Sequence, residues 1–269
     1  MRLRISYPHA TTVFDIYTDS KYVYRILNMF YQSIDTELTY TYRLAYDCIQ
    51  SIITVDSNQH ITVNSQEEAL YWIIRFIRHN LKFEEHWMAY HGAAAQINNR
   101  TYMFLGHTGA GKTTLMTYLS CQKDVAVISE DITIVNCMSG EVMPLNHPLA
   151  VRKESFELLT QVYNCDIVPL ALNYNDRYLV KNNSARPNQK YFVQKCFLLD
   201  RKVADKVSCS DIAKYEDYIT NAYCYSDLLR NARCAILLSD VVKLQKLHYH
   251  NLKDAYEFLS EYHETNCQK

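Results

Sequence analysis

The sequence predicts an α/β core with a central mixed sheet over residues 85–269, preceded by a small α+β module over residues 1–84. Short runs of β-branched and aromatic residues dominate the first 64 positions, as expected for a strand-rich module. Further on, Thr101–Ser120 reads as an apolar strand, a glycine turn and a helix in succession. With 269 residues, of which 48% are hydrophobic, the chain can form a core of ordinary size.

The module is predicted to contain strands and two helices. Four runs have strand character, the last two forming a hairpin: Thr12–Tyr17, Thr39–Tyr46, Ile52–Val55 and Ile61–Val63. Apolar side chains recur at helical spacing in Ser20–Ile34, which predicts a first packed helix. A capping box of Ser65 and Glu68 starts the second helix, whose apolar face is Leu70, Ile73, Ile74, Ile77 and Leu81.

The core begins with a strand over Trp87–Ile97, interrupted at His91-Gly92, and a turn leads from it into a strand over Tyr102–Leu105. The glycine turn that follows fits the phosphate-loop signature G-x-x-x-x-G-K-[ST], in the strand-to-helix context that its chemistry requires. Glycines let consecutive backbone N–H groups converge on phosphate oxygens, and three of the five glycines lie in this turn. The predicted nucleotide-binding residues are Gly106, His107, Thr108, Gly109, Ala110, Gly111, Lys112, Thr113 and Thr114.

An acidic pair follows the next strand of the core. Val125–Ile128 is apolar and leads into Glu130 and Asp131, and a hairpin over Ile132–Leu145 comes next. Carboxylates at such a strand end, beside a phosphate loop, hold Mg²⁺ and orient the hydroxyl that accepts the phosphoryl group. A solvated turn is the alternative interpretation of the pair, as a satisfied core histidine is for His91.

Four motifs in this order resemble the HPr kinase family: HGAAA, GHTGAGKTT, VAVISEDITIV and PLNHPLAVRKES. In that family a His-Gly strand precedes the phosphate loop and an acidic pair follows the next strand. The likeness covers roughly residues 85–165. It is greatest to the shorter stand-alone members, including kinases that phosphorylate serine on precursor peptides of ribosomally made natural products such as lasso peptides.

The resemblance implies roles for individual residues. Lys112 and the loop amides would cradle the phosphates, and Thr113 and Asp131 would bind Mg²⁺. Glu130 would be the base, and His91 would assist near the transferred phosphoryl group. Arg152 matches an arginine that such kinases often carry and could stabilise the transferring oxygens, although a surface salt bridge is the alternative.

Two departures from the family pattern limit what is carried over. The acidic pair is Glu-Asp where the family usually has Asp-Asp, which leaves the base open between Glu130 and Asp131. The glycine-rich segment of the bifunctional kinase/phosphorylase members is absent from the sequence. This absence argues against phosphorylase activity and against HPr as the substrate.

The remaining chain is predicted to support the core. Asn173–Lys190 is the most polar segment and is predicted to be a loop. The other predicted elements are strands at Cys196–Leu199 and Lys243–Tyr249 and helices at Ser210–Tyr223, Asp227–Ala232 and Leu252–Tyr262.

Composition argues against several classes of partner. The 28 basic and 29 acidic residues nearly cancel, so the sequence shows no electrostatic footprint for nucleic acid or an anionic membrane. No apolar run reaches the ~18 residues of a membrane span, and the amino terminus lacks the apolar core of a signal peptide. The nine scattered cysteines include no C-x-x-C pair, which favours reduced thiols. A cytoplasmic protein is therefore expected, and a homo-oligomer is compatible with the sequence.

The leading hypothesis is a kinase that uses ATP and Mg²⁺ to phosphorylate a serine hydroxyl of a peptide or small protein. A strand-rich module can offer a sheet edge to an extended peptide, which favours this acceptor. The alternatives are a kinase of a small metabolite such as free serine, and a non-catalytic nucleotide-binding regulatory protein.

Overall fold

The structure is a computed structural model that describes residues 1–7, 9–31, 40–145, 148–174, 177–182, 185–186, 189–201, 206–212, 216–222 and 228–262. Over these residues the chain is a mixed α/β protein with several sheets. It divides into two compact units, Met1–Glu85 and His86–Lys269. No helix within the described residues is long and apolar enough to span a membrane.

The first unit is a five-stranded sheet with two helices. Its elements are β1 (Arg2–Ile5), β2 (Thr12–Thr18), α1 (Lys21–Phe30), β3 (Tyr40–Asp47), β4 (Ile52–Val55), β5 (Gln59–Thr62) and α2 (Gln66–His79). The strand order follows the chain, and β2 and β3 are parallel while the other neighbours are antiparallel. A parallel pair needs a crossover, and α1 lies within the one between β2 and β3.

The sequence signals for α2 are confirmed. Ser65 caps the helix by accepting a hydrogen bond from the Glu68 N–H at 3.1 Å. The return bond differs from the expected capping box, because the Glu68 carboxylate accepts from the N–H of Asn64, one residue before the cap. The apolar face is buried as the spacing predicts, with Leu70 and Ile77 fully enclosed.

The second unit contains the remaining elements. Its strands are β6 (Trp87–Tyr90), β7 (Gly92–Ile97), β8 (Arg100–Leu105), β9 (Val125–Ser129), β10 (Thr133–Asn136), β11 (Glu141–Val142), β12 (Leu149–Arg152), β13 (Pro169–Tyr174), β14 (Arg177–Val180), β15 (Tyr191–Asp200), β16 (Ser208–Asp211) and β17 (Leu244–His248). Its helices are α3 (Lys112–Ser120), α4 (Lys153–Gln161), α5 (Glu216–Thr220), α6 (Leu228–Val241) and α7 (Leu252–Glu261).

A nine-stranded mixed sheet organises this unit. Its main path runs β6-β10-β11-β15-β8-β7-β9, and β17 joins β15 and carries β16 on its other side. Strand β15 is parallel to both β8 and β17, whereas β7 is antiparallel to β8 and β9. The strands β8, β15 and β17 therefore end at the same edge of the sheet. A separate three-stranded sheet has the order β12-β14-β13.

The sheet is buried on both faces. One face packs against α3 and α7 through side chains such as Phe104, Leu115 and Leu259. The opposite face packs against α6 through Met103, Leu238 and their neighbours. Apolar residues on both faces of β8 explain why this strand reads as a continuous apolar run.

Some predicted elements are wrong in detail. Trp87–Ile97 forms two strands, because β6 pairs with β10 while β7 pairs with β8 and β9. Glycine at position 92 permits the close approach of β7 to β8, since a Cβ there would lie 3.0 Å from the Phe104 carbonyl oxygen. Part of the predicted loop Asn173–Lys190 is strand β14, and the predicted helix from Ser210 begins as strand β16. Pairing with neighbouring strands outweighs local polarity at both places.

Parts of several predicted elements lie outside the described residues. They are positions 32–34 of the first helix, residue 39 of the second strand, positions 175–176, 183–184 and 187–188 of the polar loop, and positions 213–215, 223 and 227 of two later helices.

We expect Ile77→Ala to lower the free energy of unfolding of the first unit by about 2–5 kcal/mol, because it empties a fully buried site in α2. Ile49→Ala is the matched control, since it deletes the same atoms from a side chain that is 89% exposed. Urea denaturation, monitored through a probe placed in residues 1–85, measures the free energy of unfolding of both variants. Equal losses would show that the burial of Ile77 does not stabilise this unit.

Candidate phosphate-binding site

The loop between β8 and α3 has the backbone conformation that the glycine signature predicts. Gly106, Gly109 and Gly111 have φ angles of +150°, +91° and +92°, which side chains disfavour. The loop closes on itself through a hydrogen bond from the Ala110 N–H to the His107 carbonyl oxygen at 3.1 Å. The first N–H groups of α3 have no partner within the helix and stand at its positive end. The described loop can therefore receive a phosphate group.

Close packing, as well as a positive φ angle, favours glycine at position 111. A Cβ at this position would lie 3.0 Å from the Tyr249 hydroxyl oxygen, directly after β17. That hydroxyl is buried and finds no hydrogen-bond partner among the residues that the structure describes. Burial raises the pKa of Tyr249 to about 12, so the hydroxyl remains protonated at neutral pH. The neutral side chain of Tyr249 therefore packs against the loop at Gly111.

Lys112 folds back over the phosphate loop. Its ammonium group donates hydrogen bonds to the carbonyl oxygens of Gly106 and, at 3.3 Å, of His107. The side chain is buried, in contrast to the solvent-open position that an exposed loop would give. Burial lowers the pKa of Lys112, and the nearby carboxylates of Asp131 and Glu130 act in the opposite direction. The two carboxylates therefore favour the charged form of Lys112 against the effect of burial.

The hydroxyl of Thr113 donates a hydrogen bond to the Glu130 carboxylate. This contact joins the first turn of α3 to the residue that follows β9, although 17 positions separate them in the chain. Glu130 is 7% exposed, so its carboxylate is held in the interior of the site and not in a solvated turn.

The acidic pair lies on a sharp corner between β9 and β10. Asp131 has a φ of +65°, and the Ile132 N–H donates to the Glu130 carbonyl oxygen at 2.7 Å, which defines a γ-turn. A left-handed conformation in a residue other than glycine costs on the order of 1–3 kcal/mol. The buried hydroxyls of Ser129 and Thr133 hold the corner with a hydrogen bond of 2.8 Å. The sequence did not predict this hydrogen bond. Its only signal in the sequence is that a hydroxyl residue stands on each side of the acidic pair.

Asp131 contacts a partner different from that of Glu130. One of its carboxylate oxygens lies 3.4 Å from Nε2 of His91, and both side chains are partly exposed. The structure therefore brings His91, Lys112, Thr113, Glu130 and Asp131 into one region, with the two carboxylates directed to different neighbours.

Asn221 joins His91 to the loop at Gly106, and the sequence did not predict this role. Its backbone carbonyl accepts from the His91 N–H at 2.6 Å, and its side-chain oxygen accepts from the Gly106 N–H at 3.4 Å. Its own amide donates to the Asp217 carbonyl oxygen at 2.7 Å. No local pattern marks such an asparagine, because its partners are distant in the chain.

The other predicted site residues lie around the loop. His107 and Thr108 are exposed at its tip, Ala110 is buried beneath it, and Thr114 donates a hydrogen bond of 3.0 Å to Ser155 at the start of α4. Arg152 is exposed at the end of β12, opposite Arg177 of β14. Within the described residues, no hydrogen bond or ion pair connects Arg152 to the phosphate loop.

The donor set suits a magnesium ion that is held mainly by a nucleotide. The described residues contain no cluster of three or more histidine, cysteine, aspartate or glutamate side chains that could hold a metal without help. Mg²⁺ commonly uses one or two carboxylates together with substrate phosphates and water. The Thr113 hydroxyl and the acidic pair match this mode of binding, since they lie beside the loop that would receive the phosphates.

Comparison with protein-family models and with curated proteins finds no match for this chain.

We expect Gly111→Ala to destabilise the protein more than Gly109→Ala. Both changes force a side chain into a positive φ, but only the alanine at 111 meets a neighbour within 4 Å, the Tyr249 hydroxyl. Thermal unfolding of the two variants, with Tyr249→Phe alone and combined with Gly111→Ala, measures the coupling. The double variant should recover part of the loss. A strictly additive pair would show that the hydroxyl does not constrain Gly111.

Proposed function

We propose that this protein is an ATP-dependent phosphotransferase that moves the γ-phosphoryl group to a serine hydroxyl of a peptide or small protein. The observation that carries this proposal is the hydrogen bond between Thr113 and Glu130, which holds the loop hydroxyl and a buried carboxylate in contact. Phosphoryl transfer needs oxygen ligands placed in this way, because they can hold a divalent cation that bridges the β and γ phosphates.

The contacts support a division of roles opposite to the one that the family resemblance implies. Glu130 contacts Thr113, so we assign Glu130 and Thr113 to Mg²⁺, which would neutralise charge on the transferring phosphates when bound. Asp131 contacts His91 and is more exposed, so we assign Asp131 as the base for the acceptor hydroxyl.

The reaction follows from these assignments. Lys112 and the loop amides hold the phosphates in line for attack. The acceptor oxygen forms a bond to the γ phosphorus while the bond to the bridging β–γ oxygen breaks, and ADP leaves. The proton of the hydroxyl passes to Asp131, and His91 keeps that carboxylate oriented. Asn221 fixes the position of the His91 backbone relative to the phosphate loop through its two hydrogen bonds.

Two features favour a peptide acceptor. In the first unit, β5 is an edge strand of the described sheet and is largely exposed, so an extended peptide can pair with it. In the second unit, Arg152 and Arg177 occupy directly opposite positions on neighbouring strands. Like charges in this arrangement destabilise a sheet unless an anion accompanies them, which suits an acidic or phosphorylated ligand.

The direct test is incubation of the purified protein with γ-labelled ATP and Mg²⁺, in the presence of serine-containing peptides or free serine. Label on a peptide supports the proposal. Label on free serine would indicate a metabolite kinase, and release to water alone would indicate a nucleotide-hydrolysing protein. Binding of ATP without any transfer or hydrolysis would indicate a regulatory nucleotide-binding protein.

We expect Lys112→Met to lower the rate of phosphoryl transfer by a factor on the order of 100 or more, because it removes the cation that faces the transferring phosphates. Methionine fills similar space, so circular dichroism should show an intact fold. Lys123→Met is the control, since Lys123 is an exposed lysine after the loop helix. If Lys112→Met keeps most of the parent turnover, the phosphate loop does not bind the reacting nucleotide.

Glu130→Gln and Asp131→Asn should differ in phenotype. We expect Glu130→Gln to raise the Mg²⁺ concentration for half-maximal activity by about 10–100-fold. Asp131→Asn should lower kcat by about 10²–10⁴-fold while the Kd for MgATP is retained. Asp124→Asn is matched to the second variant, because Asp124 is exposed and also has a positive φ, of +60°. The reverse pair of phenotypes would restore Glu130 as the base and Asp131 as the metal ligand.

A further inference from the structure

A second group of reactive side chains lies on strands β15, β16 and β17. His248 Nδ1 lies 3.3 Å from a carboxylate oxygen of Asp200, and its Nε2 lies 3.2 Å from the hydroxyl oxygen of Ser210. The histidine ring therefore stands between a carboxylate and a serine hydroxyl and contacts each with a different nitrogen. None of these residues takes part in the proposed phosphoryl transfer.

Strand pairing explains how these residues meet. Asp200 is the register partner of His248 in the parallel pair of β15 and β17. In the antiparallel pair of β16 and β17 the register partner of His248 is Ser208, and Ser210 lies two residues further along β16, opposite Lys246, so that its contact with His248 is diagonal. Successive side chains of a strand point to opposite faces. The adjacent residues Leu199, Leu247 and Cys209 pack into the core on the face of α3 and α7. Asp200, His248 and Ser210 consequently share the other face.

The exposure of the three side chains suits a reactive site. Ser210 is exposed, so a substrate can reach its hydroxyl, whereas the His248 and Asp200 side chains are only 22% and 16% exposed. Lys246 fixes the carboxylate as well, because its ammonium lies 2.9 Å from the same Asp200 oxygen that faces the imidazole. The acid is therefore held by two neighbours while the serine remains accessible.

We propose that Ser210, His248 and Asp200 form a second reactive site, in which Ser210 is a nucleophile toward carboxylic esters. The Asp200 carboxylate beside Nδ1 of His248 favours the tautomer that carries its proton on Nδ1, which leaves the lone pair of Nε2 directed at the Ser210 hydroxyl. This order of acid, imidazole and serine is the arrangement that activates a serine for acyl transfer. The site is independent of the phosphate loop and of the proposed kinase activity.

The reaction balances without a cofactor. The Ser210 oxygen forms a bond to the acyl carbon as its proton passes to His248 Nε2, and the ester bond to the alcohol breaks. The alcohol leaves with the proton from His248. Water then attacks the acyl-serine, His248 accepts a proton from the water and returns it to Ser210, and the carboxylic acid is released.

The test uses a biotin-tagged fluorophosphonate, whose phosphorus mimics the acyl carbon and stays on the serine after fluoride leaves. Labelling of the full chain is followed over time, and mass spectrometry locates the tag. We expect the tag on Ser210, no labelling of Ser210→Ala, and labelling of His248→Asn and Asp200→Asn slowed by about 10²-fold or more. The rate at which the protein hydrolyses short aromatic acyl esters should change in the same way: it should be lost in Ser210→Ala and lowered in His248→Asn and Asp200→Asn.

Ser208→Ala is the matched control, because Ser208 is an exposed serine on the same strand and the described hydrogen bond of His248 goes to Ser210. This variant should label as fast as the parent. Thermal unfolding of each variant identifies any that fail to fold. Absence of labelling in the folded parent, equal labelling of Ser208 and Ser210, or labelling that does not depend on His248 would overturn the proposal and leave the three residues as a polar contact between strands.

Discussion

The parallel pairing of β15 with β8 on one side and β17 on the other fixes where both candidate sites of the second unit lie. Parallel strands end at a common edge, and ligands bind at such carboxyl ends. The phosphate loop leaves β8 there, Tyr249 supports Gly111 from the end of β17, and Asp200 ends β15. Both the phosphate loop and the Ser210 site therefore depend on one set of strand registers.

The site keeps several backbone positions in conformations that cost free energy. The three loop glycines avoid most of this cost because they lack a Cβ, whereas Asp131 bears it in a γ-turn. The hydrogen bond between Ser129 and Thr133 closes the corner from within the core, which helps to hold the strained residue in place. The strain has a consequence for chemistry, because it turns two adjacent carboxylates toward different partners.

Charge in the site is arranged around a buried ammonium. The Lys112 ammonium donates hydrogen bonds to the carbonyl oxygens of Gly106 and His107, and the carboxylates of Asp131 and Glu130 act to raise its pKa against the effect of burial. An incoming nucleotide would compete with the loop carbonyls for this ammonium. This arrangement keeps the loop closed on its own lysine and avoids an unpaired buried charge, which would be costly.

Sequence alone determined the glycine turn after β8, the helix that follows it and the position of the acidic pair after β9, because their signals are local: glycine conformation, apolar periodicity and residue order. It also determined α2, whose cap and apolar face are contained in one short segment. Tertiary structure decided the rest. The pairing of Glu130 with Thr113 and of Asp131 with His91, the link through Asn221 and the meeting of Ser210 with His248 all join distant positions. Their geometry is set by strand register and by the turn at Asp131, which no local pattern encodes.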